Sequence, residues 1–507
     1  MAEQNVSKFS YILQRDIRPD DKQWSYTVPR LPLASTTNKL GLIKSVSVVS
    51  SQWKQEMTLR FQKQSPNRAV ESDILDRFIS ISFEKFRLQY PQTGLQSGTS
   101  PGSSQQMPPK ESADYVSRLL SSGLTLNNVE YRFYGHSNSQ LKSKTCFLYA
   151  GTKEEICSRI DSLGDFSKIK SVAKMAKRIG LLFSAAEVAT QLQPDRCQDI
   201  PDIIKGDHIF TDGCGLISTH MARLLVQKLN ICFRNKRYNP SVFQIRYRGY
   251  KGVLELEPKL QGKTLVQFRE SMRKVSGTPD LTFSVVEYSK PYSFGYLNDE
   301  IILLLHALGI PESVFLRKQQ DHLDFLSAAL QNPREAFRFL SYVNEPHLAE
   351  RVLMEGLDSV KATVQSRVNI ECGKLLNKRD EQRCRIFVPQ SRLIFGVCDP
   401  RNVLKDGECT LRITMDGDGV PRTIVGTEVL VTRNPCLHPG DLQKFKAVQH
   451  DELSHLVDCI VFPTQGRRPS ADLMSGGDLD GDKCRRHLAT TMAYSMTYVS
   501  SFRMLGP

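Results

Sequence analysis

The sequence predicts a mixed α/β protein of the α+β kind, built from two to four packed units. Three observations lead there. The chain has 507 residues, well beyond the ~100–200 residues of one domain. Strand-like alternation broken by Gly, Pro and Asp turns recurs at 45–50, 78–83, 131–151, 209–260 and 385–463. Between the last two of these lies a run of consecutive helical patterns at 297–368.

In chain order, residues 1–90 read as a β-containing region. Residues 91–112 read as a linker, because PQTGLQSGTSPGSSQQMPPK has almost no apolar side chains to offset the entropy of ordering. Residues 113–205 combine strands with a helix over 167–183, where Val172, Ala176, Ile179 and Phe183 share a face. Beside that face runs a basic stripe of Lys170, Lys174, Lys177 and Arg178, which reads either as a solvated helix face or as a row of phosphate contacts. Residues 206–296 are β-rich with a TDGCG turn and one helix at 217–229, residues 297–384 are helical, and 385–507 return to short strands.

Lys plus Arg number 68 against 54 Asp plus Glu, a net charge of +14 that favours polyanionic partners. No apolar run approaches the ~18 residues of a membrane span, and the first residues lack a signal-peptide core, so an intracellular chain in the nucleus or cytoplasm, with no membrane contact, is expected. The twelve cysteines include no CxxC pair, which argues for reduced, packed thiols over a zinc site or a disulfide framework.

The most informative residues run from Ser475 to Asp482, SGGDLDGD, with carboxylates at alternate positions. In an extended loop that alternation points Asp478, Asp480 and Asp482 to one side. Converging anions repel unless a cation sits among them, and hard Mg²⁺ takes carboxylate oxygens while leaving sites for substrate phosphates, which is what a nucleotidyl transferase requires. A Ca²⁺ loop of the EF-hand kind needs Gly at its sixth position and Glu at its twelfth, where this chain has Lys483 and Ala489. An acidic turn without metal is the plain alternative. Asp416-Gly-Asp418-Gly reads as a hairpin turn.

Eight blocks in a fixed order add to this reading. They are YRFYGHSNSQL at 131–141, AKMAKRIGLLFS at 173–184, TDGCGLIS at 211–218, QIRYRGYKGVL at 244–254, RESMRKV at 269–275, FGVCDP at 395–400, NPCLHPGD at 434–441 and CIVFPTQGRRPSADLMSGGDLDGD at 459–482. The series resembles the eukaryotic cellular RNA-dependent RNA polymerases of RNA silencing, over about two thirds of the chain. The resemblance implies a core of two double-psi β-barrels, at 206–296 and 385–507, joined by the helical connector. It also implies Mg²⁺ on Asp478, Asp480 and Asp482, a single-stranded RNA template, ribonucleoside triphosphates, a double-stranded RNA product and silencing proteins as partners.

Lys251 and Lys274 stand where the family carries lysines that face nucleotide phosphates and the primer end. Without the resemblance, Gly-Tyr-Lys-Gly reads as an exposed loop. Arg246, Arg248, Arg269 and Arg273 are further candidates for phosphate contact, and His438 reads first as a turn residue. Unlike family members, the chain follows Asp482 with Lys-Cys-Arg-Arg-His, which is unsuited to a buried strand. The expectation is therefore an incomplete second barrel in a truncated chain, with a non-catalytic RNA-binding form as the alternative function. A DNA-dependent polymerase subunit is disfavoured because GYKG and DLDGD share one polypeptide.

Overall fold

The computed structural model describes residues 6–13, 17–50, 55–88, 107–376, 385–415, 418–481 and 483–488. The chain divides into two compact units, Met1–Val188 with Lys274–Asp280, and Ala189–Arg273 with Leu281–Pro507.

The first unit is an eight-stranded sheet of order β1-β4-β3-β5-β8-β7-β6-β2. Its strands are β1 (Ser10–Leu13), β2 (Trp24–Tyr26), β3 (Leu42–Ser50), β4 (Gln55–Lys63), β5 (Phe78–Lys85), β6 (Leu124–Leu126), β7 (Val129–Gly135) and β8 (Thr145–Ala150). Antiparallel pairing of β5 with β8 puts the regions on either side of the Gly/Ser/Pro tract into one sheet. Most of that tract lies outside the described residues, and its last residues already belong to helix α1 (Pro109–Ser122). This helix starts on Pro109, whose missing N–H costs nothing in a first turn, and stops at Gly123 with φ +87°. It packs Tyr115 and Leu119 onto the sheet with Trp24, whose indole N–H donates to Tyr115 Oη at 2.6 Å.

Further along, α2 (Lys153–Ser162) begins on a Thr152/Glu155 capping box. Helix α3 (Val172–Gly180) is shorter than the periodicity over 167–183 predicts. Phe183 is buried, but Val172 is 83 % exposed and Ala176 is exposed, because the expected apolar face meets the core only at its C-terminal end.

The second unit holds two large sheets and a helical layer. The first sheet runs β10-β14-β11-β13-β12-β15-β9. In chain order its strands are β9 (Glu187–Gln191), β10 (Cys197–Ile200), β11 (Cys214–Ser218), β12 (Val242–Tyr247), β13 (Tyr250–Glu257), β14 (Val266–Arg269) and β15 (Thr282–Tyr288). Helix α4 (Thr219–Lys228) follows β11 directly, its first turn capped by Ser218. Ile217, predicted helical, therefore sits in the strand. Five helices, α5 (Asp299–Ala307), α6 (Glu312–Ala328), α7 (Pro333–Tyr342), α8 (Pro346–Glu355) and α9 (Lys361–Leu376), occupy the stretch whose pattern reads as consecutive helices. Their apolar faces bury Phe325, Phe337, Phe339 and Val364 against Tyr292, Phe294 and Phe387.

The other sheet comprises β16 (Phe294–Leu297), β17 (Ile386–Cys398), β18 (Glu408–Thr414), β19 (Pro421–Thr423), β20 (Glu428–Arg433), β21 (Gln443–Val448), β22 (Cys459–Phe462) and β23 (Lys483–Leu488). Six of these close on themselves in the order β17-β22-β18-β21-β20-β23, with β23 pairing antiparallel to both β20 and β17. This corrects the expectation that 483–487 cannot supply a barrel strand. Ring closure is made by backbone N–H and C=O groups, which a polar sequence supplies as well as an apolar one.

Both sheets share one core: Cys214, Val242 and Val253 of the first pack with Ile394, Val397, Leu411, Val431 and Leu479 of the second unit's ring. All ten described cysteines are free and six are buried, as packed thiols require. No helix among the described residues is long and apolar enough to cross a membrane.

Candidate active site

The site is built where a hairpin of the first sheet meets the loop before β23. Strands β12 and β13 pair with Tyr247 opposite Tyr250 and Arg246 opposite Lys251. The two-residue turn between them, Arg248-Gly249, has φ +40° and +81°, the left-handed pair that matches the twist of a hairpin. Lys251 is thus fixed on a strand next to a tight turn, where the local sequence suggested an exposed loop. Its Nζ lies 2.6 and 2.5 Å from the two carboxylate oxygens of Asp480. Those side chains are 23 % and 10 % exposed, so the pair is largely out of water, where its attraction is strong.

The aspartate loop is held from several directions. Gly476 N–H donates to Asp472 O and Gly477 N–H to Ala471 O, both at 3.1 Å. Leu479 is 5 % exposed and packs in the shared core, while its N–H donates to Asp212 O at 2.8 Å. Gly213 approaches still closer. A Cβ there would stand 2.5 Å from Asp480 Cβ and 2.6 Å from its Cα. The Gly213 N–H is in turn fixed by Ser271 Oγ at 3.0 Å, and Ser271 by the Asp202 carboxylate. The TDGCG turn therefore has a role that its sequence did not announce, which is to carry the aspartate loop. The one local sign was Asp-Gly immediately before a buried strand.

Asp478 lines a cavity of about 320 Å³ together with Asp207, Asp212, Asp472 and His208. Asp472 is paired with Arg468. Asp207 and Asp212 were absent from the sequence-based candidates, since neither belongs to a patterned carboxylate run. Asp482 lies outside the described residues. The cavity's carboxylates, with the His208 imidazole beside them, favour positive charge, and carboxylate oxygens suit a hard divalent cation. Asp478 and Asp480 form no three-residue ligand cluster among the described residues. The one such cluster is Cys214, Glu255 and Cys398, all buried. There burial pushes the Glu255 carboxyl well above the usual range, which favours a neutral acid packed against thiols.

The remaining candidates separate. Arg269 is 6 % exposed and donates to Cys214 O and Pro201 O, so it braces backbone. Arg246 is 7 % exposed with Nη1 on Ile245 O. Arg248 occupies the hairpin turn itself. Arg273 is exposed, pairs with Asp199 and donates through Nε to Tyr250 Oη at 3.0 Å, next to Lys251. Lys274 begins the 274–280 segment of the first unit. His438 accepts from Gly440 N–H at 3.0 Å, as a turn residue does.

Comparison with known proteins gives a consistent result. The family model described as "RNA dependent RNA polymerase" matches residues 51–485. "Probable RNA-dependent RNA polymerase 1" of Oryza sativa subsp. japonica is 34% identical over 432 residues, 82% of this chain and 56% of the relative. "RNA-dependent RNA polymerase 1" of Arabidopsis thaliana is 32% identical over 81% of this chain and 37% of its own length. "RNA-dependent RNA polymerase 1" of Schizosaccharomyces pombe is 34% identical over 73% of this chain and 32% of its own length. The chain thus spans about half or less of these relatives. Among solved structures, the RNA dependent RNA polymerase QDE-1 from Thielavia terrestris shares the fold with a TM-score of 0.65 at 21% identity, over 88% of this chain and 53% of that one. Matched by the family model over most of its length, the chain belongs to the RNA-dependent RNA polymerase family.

Proposed function

We propose that this chain catalyses template-directed nucleotidyl transfer, copying single-stranded RNA into double-stranded RNA for gene silencing inside the cell. The observation that carries this reading is the contact of Lys251 with Asp480, 229 residues apart in sequence, beside a carboxylate-lined cavity. In the reaction the 3′-hydroxyl of the growing strand attacks the α-phosphorus of a ribonucleoside triphosphate. A P–O bond forms, the bond to the β-phosphate oxygen breaks, pyrophosphate leaves, and the hydroxyl proton passes to solvent.

Asp478, Asp480 and Asp482 would hold Mg²⁺, which when bound lowers the pKa of the hydroxyl and offsets charge on the phosphates. The chain's own contribution is positional. Leu479, Gly213 and Asp212 hold the loop, and the Lys251 ammonium supplies fixed positive charge where negative charge accumulates. Arg273 and Lys274, with Arg248 at the turn, are the remaining candidates for phosphate contact. Arg246 and Arg269 act by supporting the strands.

Purified protein given an RNA template, labelled ribonucleotides and Mg²⁺ should extend RNA, and Asp480→Asn should lose incorporation while keeping its circular dichroism spectrum. Equal incorporation by the variant would dismiss the assignment. Salt-sensitive RNA binding with no incorporation by either protein would favour the non-catalytic reading.

A further inference from the structure

In the first unit, helix α3 is anchored at one end only. After Gly180, the single buried residue of the helix, Leu182 and Phe183 enter the core at 1 % and 3 % exposure. Arg68 grips the same end, donating its backbone N–H to Leu182 O at 3.0 Å and Nη2 to Leu181 O at 2.9 Å. A Cβ on Gly180 would meet His136 O at 3.1 Å, so the backbone there is close-packed. The other end stands in solvent, with Val172 83 % exposed.

The cations run along the helix, with Lys177 and Arg178 in its last turn. Lys168, Lys170, Lys174 and Lys177 are exposed and Arg178 half-buried, and none has an ion pair or side-chain hydrogen bond among the described residues. Lys174 has Lys177 three residues on and Arg178 four residues on, spacings that bring side chains together on a helix and make like charges repel. The first turn of the helix has no acidic residue to offset them. Arg159 and Arg132 in the same unit are, by contrast, paired with Glu71 and Glu130. The like charges repel one another, and a polyanion laid along them relieves that repulsion.

We infer that Lys174, Lys177 and Arg178 of α3, extended by Lys168 and Lys170, form a docking face for the phosphate backbone of RNA. The inference rests on the RNA-copying reading for its choice of polyanion. Geometry favours a strand backbone. Lys174 to Arg178 rises about 6 Å along the helix, and a nucleic-acid strand presents one phosphate per ~3.4 Å of axis, so the face meets two or three consecutive phosphates. Such contacts are electrostatic and independent of base sequence.

The test is salt-dependent binding of a fluorescently labelled single-stranded RNA by the whole protein, wild type against the Lys174→Ala/Lys177→Ala/Arg178→Ala variant. Alanine at exposed helical positions keeps the helix, which circular dichroism checks. The expected result is a log Kd against log salt slope shallower by about 2, from ~0.7 per phosphate contact, and binding weaker by on the order of tenfold at 150 mM salt. An unchanged slope overturns the inference, as does loss of binding to phosphatidylserine vesicles with RNA binding intact. If no protein incorporates nucleotide yet the triple variant loses slope, the polymerase reading fails and the docking face stands.

Discussion

The sharpest consequence of the structure concerns Gly213, which pairs with a control that isolates its effect. Gly213 has φ +81° and its missing Cβ would overlap Asp480 backbone and Cβ at 2.5 to 2.8 Å. Gly262 has nearly the same φ, +84°, but nothing within 4 Å. Alanine at either position incurs the left-handed backbone cost, about 1 kcal/mol. Only at position 213 must the aspartate loop also retreat, and overlap of that kind in a close-packed site adds about 1–3 kcal/mol. The loop has little room to do so, because Leu479 is seated in the core and tied to Asp212 O. Gly213→Ala should therefore destabilise the protein by about 2–4 kcal/mol against about 1 for Gly262→Ala, read from urea unfolding followed by circular dichroism. Nucleotide incorporation should fall sharply in the first variant and little in the second. Equal stability losses, within ~0.5 kcal/mol, would refute the close approach and with it the role given to the TDGCG turn.

Other consequences follow from the same site. Lys251→Met removes the ammonium from a carboxylate that is 10 % exposed, so the protein should lose about 3 kcal/mol. Added Mg²⁺ should raise the melting temperature of this variant more than that of the wild type, and equal Mg²⁺ effects would show that Asp480 needs no cation. Glu255 is raised well above the usual carboxylate range, first by burial and then by the neighbouring Cys398 thiol. A folded-state value above the unfolded one means that folding takes up a proton, so stability falls as pH rises above the ordinary carboxylate range, by up to ~1.4 kcal/mol per pH unit. Glu255→Gln should remove that slope, and parallel melting-temperature profiles for both proteins between pH 5 and 8 would count against a neutral Glu255.

The sequence alone was enough to mark the α+β architecture and the run of helices after residue 297, because each is written in local periodicity. Other properties are set by distant partners. Pairing of β12 with β13 puts Lys251 on a strand, the carbonyls of Cys214 and Pro201 take donors of Arg269, and 483–487, which looked unfit for a buried strand, pairs with the open edges of β17 and β20. Asp212 and Gly213 gave only the local sign of a turn before a buried strand, since their importance lies in contact with residues more than 260 positions away. Local pattern fixes which faces are apolar and where the backbone turns. Only the packed chain decides which turn meets which loop, because that choice depends on the shared core of two sheets rather than on either one.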